Sequence, residues 1–97
     1  MTTGSLVTFL ERRDPGARDV LATVRDALAE RGTPARLLRG RDAPDTWLLV
    51  VDGDPFAADA LPPGDAAAHL AAHRADHDAG RRDVRAWTFL DAGEGAA

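Results

Sequence analysis

Apolar residues occur along the chain in two patterns, as short continuous runs and as longer stretches at helical spacing. Four short runs, over residues 5-11, 35-40, 46-52 and 84-90, are rich in Leu, Val, Phe and Trp and therefore predict β-strands. One Pro and two Asp lie in the short segment 41-45 between the second and third runs, so these two strands are expected to form a hairpin.

Two stretches with helical spacing follow residues that commonly begin a helix. The first predicted helix follows Asp14, the expected N-cap, with Pro15 at the first helical position, and it ends before Gly32. The second follows Asp65 as its N-cap and ends near Gly80. Each predicted helix thus joins two predicted strands.

The order β-α-β-β-α-β predicts an α+β protein with a ferredoxin-like fold, a four-stranded antiparallel sheet with two helices on one face. The 97 residues suffice for a single domain over 1-97, with an ordered core over about 5-91 and a tail over 92-97.

The strands carry apolar residues on both faces, which bears on assembly. In the third strand Trp47, Leu49 and Val51 point to one face, whereas Leu48 and Val50 point to the other. Two helices can cover only one face, and a monomer rarely exposes such a large apolar patch. The pattern therefore predicts a homodimer in which two sheets pack face to face.

Composition narrows the functional classes. The net charge of -4 offers no basic surface for nucleic acid, and the absence of Cys excludes thiolate chemistry and Cys-bound metals. Neither a membrane-spanning run nor a signal peptide is expected, so we predict a cytoplasmic protein. Lys, Asn, Ile, Tyr and Gln are absent while Ala, Gly, Arg and Pro are frequent, which indicates a high-GC genome such as that of an actinobacterium.

His69, His73 and His77 occupy positions i, i+4 and i+8 of the second helix and form the main candidate catalytic group. A neutral imidazole is a suitable general base near pH 7 and could take a proton from a phenol. We assign this role first to His73, as a half-exposed residue facing a cavity. Metal or haem ligation and a stripe without any function are the alternatives, and the pattern leaves open whether this face or the Ala-rich face packs on the sheet.

Trp47 and Trp87 are candidates for an aromatic wall against a flat substrate, with the indole N–H as a hydrogen-bond donor. Arg85 on the last strand could hold a phenolate or carboxylate, although a solvent-facing position is the alternative. Phe89 and Leu70 complete the predicted substrate-binding set. No chelating triad or Gly-rich dinucleotide loop is present, so neither a metal nor a cofactor is expected.

Residues 5-91 resemble the antibiotic biosynthesis monooxygenase family, a branch of the dimeric α+β barrel superfamily. The resemblance consists of a Pro-Gly start of the first helix within 12-32, a Pro-Asp hairpin within 37-55, an Ala-His-Leu segment within 67-74 and the last strand at 85-91.

The resemblance implies a dimeric enzyme of secondary metabolism that oxidises an aromatic, polyketide-like phenol or hydroquinone without a cofactor. In that chemistry the substrate phenolate supplies the electron, while the protein binds and orients it. Of the Asn, Trp and Tyr associated with such cavities this chain has only Trp. A polyketide cyclase, dehydratase or isomerase with His as acid or base, and a non-catalytic ligand-binding dimer, are the alternatives.

Overall fold

The computed structural model describes residues 5–91, which form one antiparallel sheet with two helices on one of its faces. The elements in chain order are β1 (Ser5–Arg12), α1 (Ala17–Glu30), β2 (Ala35–Arg39), β3 (Trp47–Asp52), α2 (Asp65–Asp78) and β4 (Val84–Asp91). The strand order β2-β3-β1-β4 is that of the ferredoxin-like fold and confirms the predicted architecture. The predicted tail, 92-97, lies outside the described residues.

The hydrophobic core lies between the helices and one face of the sheet. Alternate residues of the central strands, Leu10 of β1 and Leu49 and Val51 of β3, are completely buried there. They pack against residues from both helices: Leu21, Val24, Leu28 and Leu70. The alternate side chains of the strands and the helically spaced side chains of α1 thus pack together in one apolar layer.

The expected N-caps of both helices prove wrong by one or two residues. Helix α1 begins at Ala17, with Gly16 as N-cap in a left-handed conformation (φ 81°), and α2 begins at Asp65 with Gly64 as N-cap. Asp14 does not cap α1 because its carboxylate is bound by Arg12 instead. The turn before α1 therefore requires glycine, since a Cβ disfavours positive φ.

The inner face of α2 carries the histidines rather than the alanines. Leu70 and His73 are buried, and His77 is half-buried. The alanines that formed the alternative face are exposed at 68, 71, 72, 75 and 79. Two strands of the sheet, β1 and β4, therefore receive imidazole side chains from the helix above them.

The sheet surface away from the helices, which we call the open face, is apolar as the strand pattern predicted. It is formed by Val7, Phe9, Leu38, Leu48, Val50, Trp87 and Phe89. Leu38, Trp87 and Phe89 expose 40%, 37% and 57% of their surface. Phe9 and Phe89 contact each other edge to face, with ring centroids 5.6 Å apart.

Candidate functional site

His73 is a buried residue and not the half-exposed one that we expected, since only 1% of its surface is accessible. Its Nε2–H donates to the backbone carbonyl of Arg85 at 2.8 Å, and its Nδ1 accepts from the Arg12 guanidinium at 3.3 Å. A carbonyl can only accept and a guanidinium can only donate, so these partners require the neutral Nε2–H tautomer. Both ring nitrogens are thus occupied by protein groups.

The surroundings of His73 favour this neutral state. Burial lowers the pKa of the His73 imidazole below its usual 6.5, and the nearby Arg12 charge acts in the same direction. The hydrogen bond to the Arg85 carbonyl opposes the shift of the pKa but is the smaller effect. His73 as general base stays a prediction, and in this arrangement its basic nitrogen, Nδ1, already faces Arg12.

Arg12 is a buried residue that the sequence analysis did not single out. Its side chain is 9% exposed and binds Asp14 through two hydrogen bonds, Nε to Oδ1 at 3.0 Å and Nη2 to Oδ2 at 2.6 Å. These bonds hold the pKa of Asp14 below its usual range. The alternation of residues along the strand could have indicated the burial of Arg12, because position 12 lies on the same face as Leu10 once β1 is extended by one residue.

His77 binds the same peptide unit of β4 as His73 does. The Ala86 N–H donates to His77 Nδ1 at 3.2 Å, and the carbonyl of that peptide unit, from Arg85, accepts from His73. Two histidines one helical turn apart therefore hold both polar groups of one peptide in an edge strand. Because Nδ1 of His77 is an acceptor, a neutral His77 carries its proton on Nε2.

His69, the third histidine of the stripe, is half-buried and makes none of the hydrogen bonds found within residues 5–91. In that same range no three His, Cys, Asp or Glu side chains come together in a group that could hold a metal ion. The structure therefore brings His73 and His77 to one peptide and leaves His69 apart from them.

A small cavity lies where α2, β4 and the loop before α2 meet. This polar cavity has a volume of about 180 Å³ and is lined by Phe56, Arg74, His77, Asp78, Ala86 and Thr88. The Arg74 guanidinium lies over the Phe56 ring at 4.7 Å from its centroid and 3.9 Å from the Asp78 carboxylate. An aromatic wall, a cation, a carboxylate, an imidazole and a hydroxyl thus share one concave site.

Hydrogen-bond directions define what the polar cavity offers to a ligand. The Thr8 hydroxyl donates to the Gly53 carbonyl at 2.8 Å, so in its 3.1 Å contact with Thr88 the Thr8 oxygen accepts and Thr88 donates. The Thr88 oxygen therefore remains as an acceptor towards the cavity. Since Ala86 occupies His77 Nδ1, the ring group that a ligand would meet is the Nε2–H donor.

A second cavity, the apolar cavity, lies beside the first and also has a volume of about 180 Å³. Its lining residues are apolar side chains of the loop and of α2: Pro55, Phe56, Ala57, Ala58, Leu61, Ala67, Leu70 and Ala71. Phe56 lines both cavities, so they adjoin at its ring.

The five predicted substrate-binding residues do not form one site within the chain. Trp87, Arg85 and Phe89 lie on the open face, whereas Trp47 packs against the core on the helix side. Leu70 is buried and lines the apolar cavity. The two Trp side chains are separated by the sheet, so one chain cannot build an aromatic wall from both.

Of the residues that line the polar cavity, the sequence analysis singles out only His77. Phe56 lies in a Pro-rich loop whose path no periodic pattern determines, and Thr88 is a common strand residue within the last apolar run. Arg74 precedes Asp78 by four residues, and this spacing is typical of a helix ion pair and was the available signal.

Compared with protein-family models, with curated proteins and with solved structures, the chain gives no significant match. The resemblance to the antibiotic biosynthesis monooxygenase family therefore rests on the quoted residues and stays a prediction. Among the residues described here, no helix has the length and apolar character needed to cross a membrane.

Proposed function

We propose that the protein is a homodimeric enzyme that binds a single-ring phenol or hydroquinone in the polar cavity and oxidises it with O₂ and without a cofactor. The observation that carries this proposal is the set of complementary groups around that cavity. In the reaction a phenol and O₂ give a quinone and water. One oxygen atom becomes the second carbonyl, and the other leaves with the phenolic proton and the ring hydrogen.

A phenolic hydroxyl can both accept and donate a hydrogen bond in the polar cavity. Its oxygen accepts from His77 Nε2–H while its proton is donated to the Thr88 oxygen, and its ring stacks against Phe56. The Arg74 charge then favours the phenolate over the phenol, since an opposite charge stabilises the ionised form. The phenolic proton passes to the Asp78 carboxylate, which lines the same cavity. In this proposal His77 acts as a hydrogen-bond donor rather than as the base expected from the sequence.

The volume of the polar cavity favours one ring over a fused system. A cavity of roughly 150 Å³ is large enough to bind benzene, whereas sites for drug-sized ligands begin at about 300 Å³. At about 180 Å³ the polar cavity fits a phenol or hydroquinone. A larger, fused-ring polyketide is therefore a poorer match to this cavity than a monocyclic phenol.

The test combines binding with oxygen uptake. Phenol and hydroquinone are titrated into the protein by calorimetry, and O₂ consumption is followed with an electrode. Arg74→Met keeps the aliphatic stem and removes the charge, and we expect it to weaken binding about tenfold, the scale of one charge-assisted hydrogen bond. Arg18→Met, which removes an exposed charge on α1, is the matched control and should leave binding unchanged.

The outcomes separate the functional classes. Binding with O₂ uptake and quinone formation supports the oxygenase. Binding without O₂ uptake supports the alternatives, a cyclase, dehydratase or isomerase or a non-catalytic binding protein. If Arg74→Met and Arg18→Met lose phenol affinity equally, or if the wild-type protein does not bind phenol, the polar cavity is not a phenol site.

The homodimer is proposed from the open face. Its apolar centre is flanked by charges of both signs, Glu11, Asp52, Arg36 and Arg85, of which Glu11 and Arg85 are partners on neighbouring strands. A second copy related by a two-fold axis can pair its own charges with these. Specific dimers bury about 800 Å² per partner, and an apolar sheet surface is suited to this.

Light scattering tests the assembly. We expect wild-type protein at micromolar concentration to have twice the chain mass of 10.3 kDa. Phe89→Glu places a charge on the open face and should give a folded monomer, whereas Glu30→Lys at the exposed end of α1 should leave the dimer intact. A wild-type monomer refutes this part of the proposal.

A further inference from the structure

The polar and apolar cavities adjoin at one side chain, and this arrangement suggests a more specific ligand. Phe56 lines both, its ring is half-buried, and Arg74 covers one of its faces. The first cavity offers polar groups, whereas the second offers aliphatic side chains. A ligand that occupied both would need a polar ring at one end and an apolar group at the other.

We infer that the substrate is a phenol with an apolar substituent, whose hydroxyl-bearing ring occupies the polar cavity and whose substituent lies in the apolar cavity. This inference rests on the proposed function and specifies its substrate class. The Phe56 ring then forms the boundary past which the substituent extends. Unsubstituted phenol fills only half of the combined space.

The apolar cavity is suited to a hydrocarbon group of several carbons. Leu61 and Leu70 supply aliphatic surface, and Ala67 and Ala71 of α2 have small side chains that leave the space open. Leu70 is itself almost completely buried, so the cavity reaches the edge of the core. Burying one methylene group there strengthens binding by about twofold to fourfold, the range between partial and complete removal from water.

Calorimetric titration with phenol, 4-ethylphenol and 4-butylphenol tests the inference. For the wild-type protein we expect affinity to rise by at least fourfold from phenol to 4-butylphenol. Ala71→Leu fills the apolar cavity from an exposed helix position that tolerates Leu well, and it should abolish this increase while phenol itself binds as before.

Ala72→Leu is the matched control, since Ala72 is exposed on the same helix and lines neither cavity. It should retain the increase in affinity with chain length. An equal increase in Ala71→Leu and wild type overturns the inference, because the substituent then lies elsewhere. If phenol binds but 4-butylphenol binds no more tightly, the inference fails while the proposed function stands, and if none of the three binds, both fail.

Discussion

Acidification below about pH 6.5 is expected to weaken the fold through His73. Burial lowers the pKa of this imidazole in the folded protein, whereas in the unfolded chain it returns to about 6.5. Between those two values the unfolded chain binds more protons than the folded one. The free energy of unfolding is therefore complete above about pH 7 and falls as the pH drops through 6.5, until folded His73 itself becomes protonated.

The groups around His73 explain why a proton there is unfavourable. Protonation would place a donor at Nδ1 against the Arg12 guanidinium, so a hydrogen bond is lost and two positive charges face each other at 3.3 Å. His77 on the same helix also disfavours a charged His73, whereas the hydrogen bond to the Arg85 carbonyl and the Asp14 carboxylate, which is already bound by Arg12, favour it. The Arg85 carbonyl accepts from Nε2 in both protonation states.

The size of the pH effect on stability is limited because only one proton per chain is involved. A single group contributes at most ~1.4 kcal/mol per pH unit to the slope of the free energy of unfolding. His73→Gln removes the titrating group while keeping a donor and an acceptor, and it should lower stability by about 1–3 kcal/mol at pH 8 because the amide fills the buried site less well. Below pH 6.5 the wild-type protein should approach the variant in stability.

Urea denaturation at pH 8, 7, 6, 5.5 and 5 measures this effect, at one protein concentration so that any dimerisation is constant. His69→Gln is the control, since this half-buried residue lies on the same helix and makes no hydrogen bond within residues 5–91. It should retain the wild-type dependence on pH. Parallel curves for wild type and His73→Gln between pH 7 and 5 would refute the reasoning.

Three further predictions concern stability and are measured by urea or thermal denaturation. Asp14→Ala leaves the buried Arg12 guanidinium without its carboxylate partner and should cost about 1–3 kcal/mol, and an unchanged urea midpoint would show that water replaces the carboxylate. Gly16→Ala should cost about 1 kcal/mol from the left-handed backbone (φ 81°) alone, since the new Cβ would meet no atom within 4 Å among the described residues other than its chain neighbours. Its melting temperature should fall by a few degrees. Leu10→Ala, at a completely buried position, should cost about 2–5 kcal/mol and Leu6→Ala, 39% exposed in the same strand, clearly less, so equal losses would contradict the assignment of the core.

The pattern of apolar residues was sufficient to predict the order of the helices and strands, the β2–β3 hairpin and the two apolar faces of the sheet. Period-two alternation in β3 and helical spacing in α1 are local properties that backbone geometry imposes on any chain with these elements. Gly32 and Gly80, each one residue beyond the C-cap of a helix, have the positive φ that is common at this position.

Tertiary structure alone decided which groups meet. Both faces of α2 were acceptable by sequence. In the folded chain the histidine face packs on the sheet, where Leu70 joins the core and His73 makes two hydrogen bonds. Arg12 took Asp14 away from its expected capping role, since a buried guanidinium requires a carboxylate more than a helix end requires a cap. The polar cavity depends on Phe56 and Thr88, which are 32 residues apart in the sequence. No local sequence pattern predicts that two such distant side chains line the same cavity.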